Sequence, residues 1–220
     1  MPDLSTTTAV QDYLKAIYQL GGSRSDVPTS AVAQRLGISP ASVSGMLRKL
    51  HEQGLVSHTL YQGVRLTRRG AREAVEMIRH HRLLELYLTQ VVGMPLDKVH
   101  AEADALEHVI SEDLESRLDE LLGFPTTDPH GHPIPTATLD LDEGDHPTLA
   151  DVEAGRYVVR TISDRDDELL RFLDGMGLRP GVSVVVREVV AYRGGVRVEI
   201  EGAEHIVGPA AAEAVSVVAA

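Results

Sequence analysis

Residues 39–66 read SPASVSGMLRKLHEQGLVSHTLYQGVRL, and the change of period inside this stretch decides the fold. Ser39 can cap a helix that Pro40 starts, because proline at the first helical position loses no bonded N–H. Val43, Met46, Leu47 and Leu50 recur at spacings of three and four, so the spacing predicts a helix from Pro40 to Gln53, stopped by Gly54. The period then drops to two: Leu55–Thr59 and Val64–Leu66 read as short strands around a turn, Tyr61-Gln62-Gly63. Upstream, Thr29 can cap a helix carrying Val32, Ala33 and Leu36, closed by Gly37. Before it, Thr6–Leu20 places Val10, Tyr13, Leu14, Ile17, Tyr18 and Leu20 on one face, with Gly21-Gly22 as the stop. Helix, helix, turn, helix and hairpin in this order make a winged helix-turn-helix.

Downstream, Thr67 caps a long helix expected over Arg68–Val92 and broken by Gly93-Met94-Pro95. A further helix is expected over Leu96–Ile110, and Ser111 opens another that ends at Gly123. Residues 124–148 are rich in Pro, Gly, Thr and Asp without periodicity and read as an ordered loop passing into a linker. Short Val-rich runs at 157–162, 183–190, 196–200, 205–207 and 214–218, with a helix at 168–176, suggest a small barrel. The expected fold is therefore mainly α with small β parts. Its divisions are a winged helix (1–70), a helical domain (71–140), a linker (141–150) and a β-barrel (151–220).

The chain has no cysteine, which excludes disulfides, thiolate zinc sites, iron–sulfur clusters and cysteine nucleophiles. No apolar run approaches the roughly 20 residues that span a bilayer, and no basic segment leads into an apolar core at the N-terminus. The chain reads as cytoplasmic, with no membrane partner. Its net charge of −12 argues against nucleic acid until it is divided. Residues 1–70 hold eight Lys/Arg against four Asp/Glu, 71–140 five against fourteen, and 141–220 eight against fifteen. Only the winged-helix segment is basic.

On the third helix Ser39, Ala41, Ser42, Ser44 and Gly45 are small or hydroxylic and lie at the end that would enter a major groove. Arg48, Lys49, Arg65, Arg68 and Arg69 are candidate phosphate neighbours on double-stranded DNA. The same residues also fit a solvated basic face on a three-helix core, or a protein-binding winged helix. In the acidic segment, Asp104, Glu107 and His108 are spaced i, i+3, i+4, so one helical face would converge them on a cation. His81 and Glu85 are spaced i, i+4, and His100 sits one turn before Asp104. A solvated polar face is the alternative for each pair. Mixed oxygen and imidazole donors suit Mn(II) or Fe(II), with Zn(II), Co(II) and Ni(II) as competitors.

Six segments, Asp12–Tyr18, Ser39–Val56, His81–Glu85, Lys98–Asp104, Glu107–Val109 and Gly131–Pro135, resemble, in order and spacing, the diphtheria toxin repressor family of iron- and manganese-dependent regulators. Gly175–Gly181 resembles that family's barrel turn. The resemblance implies a homodimer that binds an operator, with a C-terminal SH3-like barrel, and a repressor of metal-uptake genes. It implies a regulatory metal site at Asp12, Asp104, Glu107 and His108, tying the reading head to the dimer layer. A second site at His81, Glu85 and His100 would be completed from the barrel by Asp166, Asp167 or Glu168. Carboxylates at Asp12 and Asp104, where iron-selective members place sulfur, resemble the manganese branch; Lys15 stands where barrel-less manganese regulators carry a second acid. Gly45 replaces a longer amide, which leaves more recognition to DNA shape. A metal-dependent hydrolase and a metal-stapled adaptor dimer are the competing classes. No separate general base or pocket for an organic substrate is legible, so a non-enzymatic role is expected.

Overall fold

The computed structural model describes residues 7–59, 62–164, 166–190 and 194–220. Thr6 and Tyr61, which the sequence places at the start of the first helix and in the wing turn, lie outside the described residues. Helix α1 (Thr8–Gln19) buries Val10, Tyr13, Leu14 and Ile17, the face its periodicity specifies. Helix α2 (Thr29–Leu36) follows Pro28 in the cap position, so Thr29 is the first helical residue and not the cap; Gly37 closes it with φ 65°. Helix α3 (Pro40–Glu52) is capped as expected, Ser39 Oγ accepting from Ser42 N at 3.2 Å. Strands β1 (Val56–Thr59) and β2 (Gly63–Leu66) pair antiparallel with Val56 opposite Leu66, and Val27 bridges to Val64 on the open edge. Leu14, Ile17, Val32, Val43, Leu47, Leu50 and Val64 form one core beneath these elements.

Helix α4 (Arg68–Tyr87) starts at Thr67, whose Oγ1 accepts from Gly70 N at 3.1 Å. It is shorter than its pattern suggests: Leu88–Val92 form a π-helical turn, with Thr89 Oγ1 donating to Glu85 O at 2.7 Å, and Gly93 ends it. Helix α5 (Leu96–Leu106) stops four residues before the expected Ile110, and α6 (Glu112–Leu121) is capped by Ser111. Strands β3 (Gly155–Ile162), β4 (Ser183–Val190), β5 (Gly195–Ile200), β6 (Ala203–Val207) and β7 (Val215–Ala219) form an antiparallel sheet of order β6-β5-β4-β3-β7. Register shifts at Val159/Thr161 and Val186/Glu188 mark bulges, which bend strands and suit a small SH3-like sheet curled on its own core. Helix α7 (Asp167–Gly175) contributes Leu170 and Leu173 to that core; a short helix α8 (Pro209–Glu213), unforeseen in the alanine-rich run, adds Ala211 and Ala212.

The chain divides into two compact units. One comprises Met1–His80, Glu107–Ile110 and Pro135–Leu141; the other comprises His81–Leu106, Ser111–Ile134 and Asp142–Ala220. The first therefore draws a segment from beyond α5 onto the winged helix. Among the described residues no helix is long and apolar enough to cross a membrane.

Candidate metal centres and nucleic-acid interface

In the second unit α4 presents His81 and Glu85 one turn apart, α5 presents His100 and Asp104 one turn apart, and Asp164 follows the end of β3. His81 Nε2, Glu85 Oε1 and His100 Nδ1 form a triangle with edges of 2.9, 3.0 and 3.1 Å. Three atoms bearing lone pairs sit this close only around a shared positive charge, a proton or a metal. Donors held at right angles about 2.1 Å from one ion lie about 3.0 Å apart, so the triangle fits one face of an octahedral cation. Asp164 Oδ2 stands 3.7 Å from His100 Nδ1 and extends the same set.

Asp104 lies behind these donors rather than among them. Its Oδ1 is 3.2 Å from His81 Nδ1 and its Oδ2 is 3.6 Å from His100 Nε2. With a cation bound, a carboxylate there would take the outer ring proton and leave the inner nitrogen's lone pair for the ion. The barrel residues differ from expectation. Asp166 caps α7, accepting from Glu168 N and Leu169 N, and Asp167 Oδ2 faces Lys98 Nζ at 3.8 Å. Glu168 is exposed on the same first turn, and the structure gathers Asp164 in their place.

A second group that the sequence reading did not single out, Asp128, His130 and His132, adjoins Glu85. Asp128 Oδ1 accepts from His130 N and His132 N, and Ile162 N donates to His130 O at 2.9 Å, fixing the loop on β3. His130 Nδ1 lies 3.4 Å from Glu85 Oε2; both side chains are fully buried, and neither of these atoms nor His130 Nε2 has a hydrogen-bond partner. Such orphaned polar atoms are costly in a closed core, and a cation would satisfy them. Burial opposes ionisation of Glu85, but the charge on His81 and the close approach of the His100, His130 and His81 imidazoles hold its carboxyl well below the usual range. Burial disfavours charge on His130 and His132, yet the adjacent carboxylates, Glu85 foremost for His130 and Asp128 foremost for His132, raise both. Burial likewise opposes ionisation of Asp164, which His132 foremost among its neighbours overcomes. The legible signal was Asp128-Pro129-His130-Gly131-His132, three potential ligands at alternate positions in a chain without cysteine.

The first unit gathers Asp12, Glu107 and His108. Glu107 and His108 stand in the turn just beyond the last residue of α5. Two tertiary contacts meet the chain there: His80 Nδ1 lies 3.1 Å from Glu107 O, and Lys15 Nζ holds the Glu107 carboxylate at 2.7 and 3.0 Å. His108 Nδ1 meets Gln11 Oε1 at 2.9 Å, which places the ring proton there and turns Nε2 toward Asp12 Oδ1, 3.1 Å away, and Glu107 Oε1, 3.8 Å away. A neutral imidazole and two carboxylates fit a hard divalent cation.

On α3 Ser39, Ala41, Ser42, Gly45, Arg48 and Lys49 are exposed and Ser44 is half-buried, its Oγ donating to Pro40 O at 2.9 Å. In the wing Arg65 donates to Asp26 at 3.1 Å, and Arg69 pairs with Glu73 at 3.0 Å. The exposed small side chains leave the start of α3 open to base edges, with cations further along.

Residues 5–64 match the family described as "Iron dependent repressor, N-terminal DNA binding domain", residues 67–136 match "Iron dependent repressor, metal binding and dimerisation domain", and residues 148–219 match "FeoA domain". The chain is 34% identical over 223 residues to "Iron-dependent repressor IdeR" of Mycobacterium tuberculosis (strain ATCC 25618 / H37Rv), covering 95% of each. It is 34% identical over 216 residues to "Diphtheria toxin repressor" of Corynebacterium efficiens, covering 91% of this chain and 93% of that one. Among solved structures, a manganese-dependent transcriptional repressor in complex with manganese superposes with a TM-score of 0.89 at 38% identity, over 96% of this chain and 100% of that one.

Proposed function

Because this chain belongs to the iron-dependent repressor family, together with the diphtheria toxin repressors, we propose that it is a cytoplasmic, homodimeric transcriptional repressor of metal-uptake genes, activated by Mn(II). The observation that carries the metal reading is the triangle of His81 Nε2, Glu85 Oε1 and His100 Nδ1 around a fully buried carboxylate. The choice of Mn(II) over Fe(II) rests on donor chemistry: both clusters offer carboxylate and imidazole with no sulfur, which suits hard cations. Residues 1–70 act as the reading head, 71–140 as the metal and dimerisation domain, and 151–220 as the SH3-like domain after a linker at 141–150. Leu114, Leu121 and Phe124, 44, 63 and 69% exposed, are apolar surface that a second copy would cover.

A divalent cation supplies the positive charge that draws each donor set together. His81, Glu85, His100 and Asp164, with Asp128, His130 and His132 beside them, would hold it in one unit; Asp12, Glu107 and His108 would hold it in the other. Asp12 belongs to α1 of the reading head, whereas Glu107 and His108 follow α5, more than 90 residues later. Ligation by both fastens that distant segment to α1. In this reading the α3 helices of a dimer acquire a fixed spacing on two half-sites. Metal must then tighten DNA binding by the factor by which DNA tightens metal binding. Selection from a random double-stranded DNA library in the presence of Mn(II) tests the proposal. It expects an enriched inverted repeat whose binding is lost on chelation and in Asp12→Asn. Enrichment that persists after chelation would sink it.

A further inference from the structure

Glu107 already has a cation. Lys15 lies on α1 one turn beyond Asp12, and its ammonium reaches both Glu107 oxygens, at 2.7 and 3.0 Å. The pair is closed off from solvent, with Lys15 8% and Glu107 1% exposed. On the other side of the carboxylate, His108 Nε2 stands 3.8 Å from Glu107 Oε1 and 3.1 Å from Asp12 Oδ1. The helix that brings the ligand Asp12 thus also brings a charged group that satisfies the ligand Glu107. A charge tethered this way competes at the high effective concentration of an intramolecular partner.

The geometry points to Lys15 as an affinity-setting residue, a built-in competitor that raises the concentration of divalent cation needed to fill the Asp12–Glu107–His108 cluster. The inference rests on the reading that this cluster takes metal. Without Lys15 the buried carboxylate loses this counter-charge, so the metal-free chain loses stability while an incoming ion no longer competes with the ammonium. Arginine at this position has the opposite consequence, because its planar fork pairs with a carboxylate more strongly than an ammonium does.

Mn(II) binding to the full chain, followed by calorimetry and by the electron paramagnetic resonance signal of free Mn(II), tests this in Lys15→Gln, Lys15→Arg and Asp12→Asn. Lys15→Gln should melt at a lower temperature than wild type when chelated, yet bind Mn(II) at this cluster at least about five-fold more tightly, within the range usual for coupled sites. Lys15→Arg should bind more weakly than wild type. A purely structural lysine would lower stability and metal affinity together, so the opposite signs are diagnostic. Lys15→Gln binding no tighter than wild type overturns the inference, as does Lys15→Arg binding no more weakly, which can be read even where the glutamine variant fails to fold. If Asp12→Asn leaves the whole isotherm unchanged, the cluster takes no metal and the underlying reading fails. If Asp12→Asn deletes one binding event while the lysine variants match wild type, the inference alone fails.

Discussion

Glu85 has no exposed surface, and three imidazoles face it: His81 and His100 on Oε1 at 2.9 and 3.1 Å, and His130 on Oε2 at 3.4 Å. Its lowered pKa means that its contribution to stability is present above the ordinary carboxylate value and is lost as pH falls through the lowered one. The raised pKa of His130 works the other way: its contribution is present below the ordinary imidazole value and is lost as pH rises through the raised one. The mutual stabilisation is therefore greatest between those ordinary values, about 4.5 and 6.5. Glu85→Gln keeps the shape and removes the anion. In chelated protein it should cost about 1–3 kcal/mol near pH 5.5, with the gap from wild type narrowing as pH rises through the raised value of His130. Chemical denaturation from pH 5.5 upward measures it, and a gap that does not change with pH would show that His130 is not a charged partner of Glu85. The variant should also lose Mn(II) binding at this cluster.

At the scale of elements, the junction between the wing and α4 turns on one carbonyl. Leu55 O accepts from Thr67 N at 3.0 Å and from Thr67 Oγ1 at 3.1 Å, while the helix start passes so close that a Cβ on Gly70 would lie 2.0 Å from the same oxygen. Backbone faces backbone here, so no side-chain rotation can relieve the overlap. Gly70→Ala should destabilise the protein by about 3 kcal/mol or more, read as a lowered melting temperature by circular dichroism, whereas Gly45→Ala, with open space around its Cβ position, should not. The order of elements was legible in the sequence because helix and strand periods are local, and Ser39, Thr67 and Ser111 announce their helix starts. What ended α5 was not. Glu107, the first residue past the helix, meets His80 and Lys15, and these partners lie 27 and 92 positions away, beyond the reach of periodicity. The same holds for Asp164. Its sequence neighbours Asp166, Asp167 and Glu168 are chemically equivalent, and only the exit of β3 selects which acid faces His100. His81, Glu85 and His100 were legible because each pair within a helix keeps a spacing that the fold preserves.

Across the whole molecule, charge is segregated along the chain: the first 70 residues carry a surplus of four cations and the remaining 150 a deficit of sixteen, giving the net −12. A polyanion such as DNA is then attracted by one segment and repelled by the rest, so its affinity must depend strongly on ionic strength. Arg48 and Lys49 are exposed beyond the small residues at the start of α3, where phosphates flank a helix lying in the major groove. With four to ten phosphates neutralised by a dimer, log K against log salt should fall with a slope between about −4 and −9. Lys49→Ala removes one cation from each copy and no base contact. It should weaken binding to cognate and scrambled duplexes alike and make the slope shallower by about 1 for each copy bound. Fluorescence anisotropy with saturating Mn(II) at several salt concentrations measures both. An unchanged slope would place Lys49 away from the DNA and turn the basic face of α3 into ordinary solvated surface. A loss confined to the cognate duplex would instead make Lys49 a reader of bases.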